Sequence, residues 1–254
     1  KYPDAEKLSV SITEEFPKHP FAWKVLAIVF KQMGKVNESL ITSQKSVQLD
    51  PQDAEAHNNL GIILKELGRL KEAEASYRQA ITLKANFAEA HNNLGIILEE
   101  LGRLNEAEAS YRQAITLKPD YAEAQNNLGI ILQELGRLNE AEVSLRQAIT
   151  LKPDLAEAHS NLGNTLKDQG RLKEAEVSYG QAIALKPDYA EAYNNLGVIL
   201  QEQGILKEAF SAYIQAINLN PNFTDAYANL GIAIKNVRFN SSNVKLYPLL
   251  IRLL

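Results

Sequence analysis

Apolar residues recur along the chain with the spacing of amphipathic helices. Within residues 94–101, leucine and isoleucine are separated by steps of three and four, which places their side chains on one stripe of a helix. Gly102 interrupts this stripe, and a second helical series follows over residues 104–117 until Pro119, which cannot propagate a helix. The pattern predicts two consecutive helices joined by a short turn, a helical hairpin.

This hairpin recurs every 34 residues. Residues 54–87 and 88–121 differ at only five places, which leaves 34 − 5 = 29 identities. Full copies occupy 20–53, 54–87, 88–121, 122–155, 156–189 and 190–223, with half copies at 1–19 and 224–237. A single copy cannot bury its apolar stripe alone, so neighbouring copies must stack. We therefore expect residues 1–239 to form one elongated repeat domain.

An acidic pair marks the start of the first helix in several copies. An aspartate is followed three residues later by a glutamate as Asp120 with Glu123, Asp154 with Glu157, and Asp188 with Glu191. This is the spacing of a capping box, in which the first side chain accepts hydrogen bonds from the free N–H groups of the helix start. The spacing predicts that these aspartates cap their helices.

The residues at fixed places within each copy carry a family resemblance. In the copy 88–121 they are His91, Leu94, Gly95, Ala107, Tyr111, Ala114 and Pro119. This pattern closely resembles the tetratricopeptide repeat. The resemblance implies an all-α fold, a right-handed α-solenoid superhelix of antiparallel helix pairs. It also implies that the first helix of each pair, helix A, lines a concave groove, while helix B faces outward.

Polar residues at regular places are expected to line that groove. Counted from the first residue of a copy, places 2, 5, 6, 9, 12 and 13 fall on one side of helix A. The sixth place holds an asparagine in six consecutive copies: Asn59, Asn93, Asn127, Asn161, Asn195 and Asn229. The fifth and ninth places add Asn58, Asn92, Asn126 and Asn194, and Ile62, Ile96, Ile130 and Val198. Because an amide both donates and accepts, such a ladder can pair with the backbone of an extended peptide.

The asparagine ladder resembles the one in the superhelix of O-linked N-acetylglucosamine transferases, where the resemblance implies that the six sixth-place asparagines hold substrate backbones. The alternative is that each asparagine only bonds a neighbouring helix. Acidic residues at the second and thirteenth places favour a neutral or basic peptide.

The residues that could act in catalysis recur at fixed places of the repeat, which favours a structural role over a catalytic one. His57, His91 and His159 share the fourth place with Gln125, Tyr193 and Trp23, which cannot all transfer a proton, so we expect a structural role. Glu74 and Arg78 are four residues apart on helix B, as in a solvated helix face. The arginines that follow the helix A glycines, such as Arg103, are expected to face solvent or bond helix ends. We therefore predict no enzymatic activity, no metal site and no cofactor.

Composition and charge limit the classes of partner that the chain is expected to bind. The 254 residues include 27 Lys+Arg and 31 Asp+Glu, a net charge of −4, which disfavours nucleic acid as a partner. No apolar run approaches the ~18 residues of a membrane-spanning helix, so no membrane partner is expected. The chain has no cysteine, which excludes disulfides and thiolate ligands. A cytoplasmic protein–protein interaction is favoured, with self-association through the solenoid ends as a further expectation.

The final residues depart from the repeat. Residues 240–254 are rich in leucine and are expected to be an atypical C-terminal cap or the start of a further domain. Three functions stay open at this point. The first is a scaffold that binds an extended peptide segment of a partner along the asparagine-lined groove. The others are the substrate-recognition arm of a larger transferase with its catalytic domain beyond Leu254, and a self-associating structural solenoid.

Overall fold

Helices account for all of the regular structure in the part of the chain that the structure describes. A computed structural model describes residues 2–236, and the expected cap at 240–254 lies outside this range. The helices are α1 (Tyr2–Glu15), α2 (Pro20–Gln32), α3 (Val36–Leu49), α4 (Ala54–Glu66), α5 (Leu70–Leu83), α6 (Ala88–Glu100), α7 (Leu104–Leu117), α8 (Ala122–Glu134), α9 (Leu138–Leu151), α10 (Ala156–Asp168), α11 (Leu172–Leu185), α12 (Ala190–Glu202), α13 (Leu206–Leu219) and α14 (Thr224–Asn236). The predicted all-α fold of paired helices is confirmed.

Packing follows chain order within each of two compact units, Lys1–Ile131 and Leu132–Leu254. In the first unit, α2 packs on α3, α4 on α5 and α6 on α7, and each pair contacts the next through α3 with α4 and α5 with α6. In the second unit, α10 packs on α11 and α12 on α13 in the same way. Helix A of one copy also contacts helix A of the next, as α4 does α6, α10 does α12, and α12 does α14. Residues on neighbouring A helices are therefore close enough to bond.

A glycine in the left-handed conformation ends the A helix of each of the six full copies. Gly68 has φ +70° and donates its N–H to the carbonyl oxygen of Lys65 at 2.8 Å. The N–H of Arg69 donates to the carbonyl oxygen of Leu64 at 2.9 Å, which completes a Schellman motif. The same positive φ occurs at Gly34, Gly102, Gly136, Gly170 and Gly204. The turn that reverses the chain into helix B is thus repeated with one geometry.

The core of a helix pair is a tyrosine ring on a glycine. Tyr77 of α5 is 1% exposed, and its ring lies so near Gly61 of α4 that a Cβ on that glycine would stand 2.6 Å from the ring's Cε1. The equivalent pairs are Gly95 with Tyr111, Gly163 with Tyr179, and Gly197 with Tyr213. Ala73 and Ala80 on the same helix B are fully buried. The small residues of the repeat therefore allow the two helices of a pair to approach closely.

The predicted helix caps are wrong at the later copies. The N-cap residues of α10 and α12 are Leu155 and Tyr189, and neither makes a side-chain cap hydrogen bond. Asp154 and Asp188 each lie one residue too early, because a large residue separates the turn from the helix in these copies. Asp120 likewise lies two residues before the start of α8.

One helix does have an aspartate cap. In the copy 20–53 the last residue is Asp53, where other copies have a large apolar or aromatic residue. Its side chain accepts hydrogen bonds from the N–H groups of Glu55 at 2.9 Å and Ala56 at 3.1 Å. The cap thus depends on the identity of the thirty-fourth place.

Candidate peptide-binding face

The asparagines of successive A helices bond one another. We call the side of the A helices formed by places 5, 6, 9, 12 and 13, within each unit, the A face. In the first unit, Asn93 donates from Nδ2 to Oδ1 of Asn58 at 3.0 Å, and Asn127 donates to Asn92 at 3.1 Å. The fifth-place acceptors Asn58 and Asn92 are buried, whereas the sixth-place donors are half-buried. Asn93 and Asn127 therefore each use one amide donor to bond the preceding copy.

The second unit uses the same bond with one variation. Asn229 donates to Oδ1 of Asn194 at 3.0 Å, as in the first unit. Asn195 cannot do the same, because the preceding copy carries Ser160 at the fifth place. It donates instead to Oδ1 of Asn164 at 3.1 Å. Asn164 thus takes over as the acceptor from the ninth place, one helical turn further on.

Asn164 was not among the groove residues predicted from the sequence. It also accepts a hydrogen bond from the Tyr179 hydroxyl at 2.7 Å, so it joins the ladder to the core. The signal was present, since the copies 54–87, 88–121, 122–155 and 190–223 carry isoleucine or valine at this place. A polar residue appearing in the copy that lacks the usual amide indicates compensation.

Part of the ladder's hydrogen-bonding capacity remains. Asn93 and Asn229 each keep Oδ1 and a second N–H that have no partner among residues 2–236. The Oδ1 atoms of Asn127 and Asn195 accept long bonds of 3.4 and 3.3 Å from the asparagine that precedes each of them. Asn161 occupies the same place and is half-buried. Bonding between neighbouring helices thus occurs along the ladder, and at Asn93 and Asn229 it uses only one N–H of the amide.

Asn59 is an exception. It lies at the sixth place of α4 and makes no hydrogen bond within the described residues. The preceding copy has Lys24 at the fifth place, and this lysine binds Asp53 at 2.8 Å and Glu55 at 3.1 Å. Since an ammonium group can only donate, it offers no acceptor to Asn59. The whole amide of Asn59 is therefore free.

Apolar side chains separate the amides along the face. The ninth-place residues Ile62, Ile96, Ile130 and Val198 are half-buried. Ile62 and Ile96 line a pocket of about 310 Å³ together with Lys65, Tyr77 and Asn93. The pocket places a ladder amide next to apolar walls, a combination that can hold a side chain and bond the backbone that carries it.

The acidic edge is partly neutralised by lysines of the preceding copy. Lys31 pairs with Glu66 at 3.0 Å, and Lys65 pairs with Glu100 at 3.2 Å. In the second unit, Glu202 has no ion pair among the described residues. The A face of the first unit therefore gives less preference for a basic peptide than the count of acidic residues predicted.

The fourth-place rings bond the turn before their own helix. His57 and His159 contact the carbonyl oxygens of Pro51 and Pro153 from Nε2, each at 3.0 Å, His91 contacts that of Ala85 at 3.2 Å, and Trp23 donates from Nε1 to that of Pro17 at 2.9 Å. A carbonyl oxygen only accepts, so each histidine ring nitrogen must donate. The predicted structural role of these histidines is confirmed.

The turn arginines clamp one copy to the next. Arg103 donates to Glu106 of its own copy at 2.7 Å and to Glu74 of the preceding copy at 2.7 Å. Arg78 also donates to Glu74 at 2.9 Å, as its spacing predicted. Burial alone would raise the pKa of the Glu74 carboxyl, but the hydrogen bonds from Arg78 and Arg103 hold it below its ordinary value. Arg171 and Glu142 repeat the cross-copy bond at 2.6 Å. These arginines are occupied rather than free to bind anions.

Residues 2–236 contain neither a membrane-spanning helix nor a cluster of metal-ligating side chains. No helix in this range has both the length and the apolar character needed to cross a bilayer. Nor do three or more histidine, cysteine or acidic side chains in it converge as metal ligands would.

Comparison with known families identifies the repeat. Sequence models described as "Tetratricopeptide repeat" match residues 42–75, 86–154 and 190–223. A further model described as "TPR repeat" matches residues 61–102 and 163–204. Together these matches cover more than half of the chain. No curated protein sequence matches the chain closely enough to count as a relative.

Solved structures with the same fold agree. The APC/C hetero-tetramer Cut9–Hcn1 aligns with a TM-score of 0.81 at 18% identity over 92% of this chain, which spans 46% of that chain's length. PilF of Pseudomonas aeruginosa aligns with a TM-score of 0.73 at 20% identity, over 84% of this chain and 97% of the other. YrrB, described as a TPR protein with an unusual peptide-binding site, aligns with a TM-score of 0.57 at 24% identity, over 73% and 96%. At these identities the likeness concerns the fold.

Proposed function

Since the chain belongs to the tetratricopeptide-repeat family, we propose that it is a scaffold that binds an extended segment of a partner protein along its A face. A fold built only of these repeats is generally a non-catalytic scaffold for protein partners. The finer part of the proposal is the site. It consists of the sixth-place asparagines with the apolar ninth-place residues between them.

One observation carries this proposal. Asn93 is half-buried, and its bond to Asn58 leaves Oδ1 and one N–H without a partner among the described residues. An amide with one free donor and one free acceptor matches a peptide unit, which has one of each. The bond to Asn58 fixes the side chain in advance, so less rotamer freedom is lost when a peptide binds.

A peptide ligand also has a precedent on this fold, because the YrrB structure is described as having a peptide-binding site. The half-buried isoleucines of the A face favour a segment with apolar side chains at intervals. Such a ligand is extended rather than helical, since every second residue of an extended chain points to one side.

The test must separate peptide binding from the packing of neighbouring copies, because Asn93 and Asn127 also hydrogen-bond the preceding copy. The first variant, Asn93→Ala with Asn127→Ala, removes both the exposed amides and their two bonds to the preceding copies. The matched control, Asn58→Ala with Asn92→Ala, removes the same two bonds but leaves the exposed amides in place. Partners are captured from a lysate with the parent chain, and the affinity of the captured segment is then measured for both variants.

We expect the first variant to bind the segment more weakly than the control. Two lost hydrogen bonds of ~0.5–1.5 kcal/mol each correspond to a roughly 5- to 150-fold rise in Kd. Equal weakening in both variants would mean that the ladder only holds the copies together, and the proposal would then fail.

A further inference from the structure

The first full copy lacks the tyrosine ring that lines the equivalent pocket of the next copy, where the pocket measures about 310 Å³. Four later copies pack a tyrosine at the twenty-fourth place on a glycine at the eighth. In the copy 20–53 these places hold Ser43 and Ala27. A pocket of about 260 Å³ lies here, and its walls include Ile28, Ile62 and Ile63. The volume is just under the ~300–1,000 Å³ of small-molecule sites, so it suits one large side chain.

The hydroxyl at the base of this pocket has no partner. The other serines of α3 are satisfied, because Ser39 donates to the carbonyl oxygen of Ala27 at 2.8 Å and Ser46 to that of Pro20 at 3.1 Å. Ser43 is 3% exposed and makes no hydrogen bond within the described residues. No side-chain polar atom of the described residues is both fully buried and unbonded, so the Ser43 hydroxyl opens to the pocket, where a ligand can reach it.

The mouth of the pocket holds the sixth-place amide of Asn59, for which the fifth place of the preceding copy supplies no acceptor. Asn59 lines the pocket. Lys24 of the preceding copy binds Asp53 instead, so Oδ1 and Nδ2 of Asn59 have no partner among the described residues. Lys31 also lines the pocket, and its charge is paired with Glu66 at 3.0 Å. The site therefore combines apolar walls with the Ser43 hydroxyl and the Asn59 amide. The charge of Lys31 is already paired with Glu66, so the site does not call for a charged ligand there.

We propose that this pocket receives the neutral aromatic side chain, phenylalanine or tyrosine, of an extended partner segment whose backbone pairs with Asn59. The inference rests on the proposed function and names the side chain that the partner must bring. The partner's ring takes the place that Tyr77 fills in the next copy, where residue 61 is a glycine. A bidentate amide contact beside the pocket fixes the backbone from which the ring descends.

The test uses the full chain and two capped pentapeptides, acetyl-Gly-Gly-Phe-Gly-Gly-amide and the same peptide with alanine at its centre. Binding is followed by the side-chain amide resonances of Asn59. We expect saturable binding of the phenylalanine peptide and at least about tenfold weaker binding of the alanine peptide, from the apolar area that a buried ring removes from water. Equal binding of the two peptides, or none, would overturn the proposal.

A filled pocket supplies the matched variant. Ala27→Gly with Ser43→Tyr rebuilds the glycine and tyrosine pair of the later copies inside the protein. We expect a higher melting temperature and at least about tenfold weaker binding of the phenylalanine peptide. Ser43→Leu, which copies the buried Leu145 of the copy 122–155, serves if the double variant does not fold. Gln44→Tyr, with its ring on the exposed side of α3, should bind as the parent does.

Further outcomes identify a different occupant or separate the two proposals. Binding of the peptide by a Tyr247→Ala chain but not by the parent would assign the pocket to the chain's own tail and overturn the inference. Suppose that a partner segment binds the Ala27→Gly, Ser43→Tyr chain as tightly as the parent but no longer binds the Asn93→Ala, Asn127→Ala chain. That result would reject the pocket and leave the proposed function intact. Loss of binding in the Ala27→Gly, Ser43→Tyr chain alone would support the pocket and reject the ladder as the binding site.

Discussion

The ring of Tyr111 lies over Gly95 so closely that a Cβ on that residue would stand 2.5 Å from the ring's Cε1. The ring is fully buried between the two helices of its copy and cannot move aside cheaply. The tyrosine ring therefore explains why residue 95 is a glycine. The helix does not, because a glycine inside a helix costs stability.

Gly95→Ala should destabilise the chain by about 1–3 kcal/mol, the usual cost of forcing an extra methyl group into a packed core. Gly231 is the matched control, because it holds the same place in α14 and a Cβ there meets nothing within 4 Å. Gly231→Ala should be neutral or stabilise by up to about 1 kcal/mol. Urea unfolding followed by circular dichroism measures both, and equal effects would show that the ring does not exclude the methyl group.

Gly102→Ala tests backbone strain without steric overlap. Its φ is +73°, and a Cβ there meets nothing within 4 Å, so only the left-handed conformation opposes the change. We expect a loss of about 1–2 kcal/mol. Gly180, inside α11 and also open, should instead gain about 0.5–1 kcal/mol on change to alanine. A stable Gly102→Ala chain would mean that the turn can adopt another conformation.

Asn164→Ile should destabilise the second unit by about 1–3 kcal/mol, because it removes the acceptor for both Asn195 and the Tyr179 hydroxyl. Adding Ser160→Asn restores the fifth-place acceptor used elsewhere and should recover part of the loss. Thermal unfolding of the single and double variants checks this. A double variant no more stable than the single one would contradict the compensation between the two places.

The clamp at Glu74 should weaken in acid. A carboxyl whose pKa is lowered by folding adds stability above its unfolded pKa of about 4.3, and this is lost as pH falls through the lower folded value. Glu74→Gln should cost about 0.5–1 kcal/mol at neutral pH and flatten the acid side of the stability profile. Glu176→Gln is the control, since Glu176 holds the same place as Glu74 and the turn that follows it has Ile205 instead of an arginine. Parallel acid profiles for Glu74→Gln and the parent would show that the clamp adds nothing.

Buried tyrosines should make the fold sensitive to alkali. Burial, with a smaller contribution from Glu202, raises the pKa of Tyr213 to about 12. The stability linked to this proton is complete below the unfolded pKa of about 10 and is lost as pH rises from there towards 12. Tyr213→Phe should reduce that loss, as measured by melting temperature against pH. Ultraviolet absorbance should show one tyrosine fewer ionising at the high end, and an unchanged alkaline profile would contradict the assignment.

Much of the fold could be predicted because the information is local and repeated. The steps of three and four between apolar residues and the glycine before each B helix define helix bounds in every full copy, and a proline follows the B helix in all of them except 54–87. The ladder asparagines could be located for the same reason, since a helix face follows from spacing alone.

The bonds between copies could not be predicted, because they join side chains about one repeat apart whose distance depends on stacking. Arg103 could be placed in a turn, yet its bond to Glu74 depends on how the next copy packs. The caps failed for a smaller reason, since a shift of one residue moves Asp154 from the helix start into the turn. The pocket at Ser43 could not be predicted from the repeat pattern, because it depends on a residue that departs from that pattern.

The hydrogen bond from Asn93 to Asn58 joins residues 35 positions apart, one more than the length of a copy, and Asn127 with Asn92 has the same offset. The copy 88–121 thus carries a donor for the copy before it and an acceptor for the copy after it. An in-frame duplication of any 34-residue stretch of this part of the gene joins a donor to an acceptor at the new junction, wherever the crossover falls. Such a gene can lengthen by recombination with itself and needs no compensating mutation, and the 29 identities between residues 54–87 and 88–121 are what recent growth of this kind leaves behind.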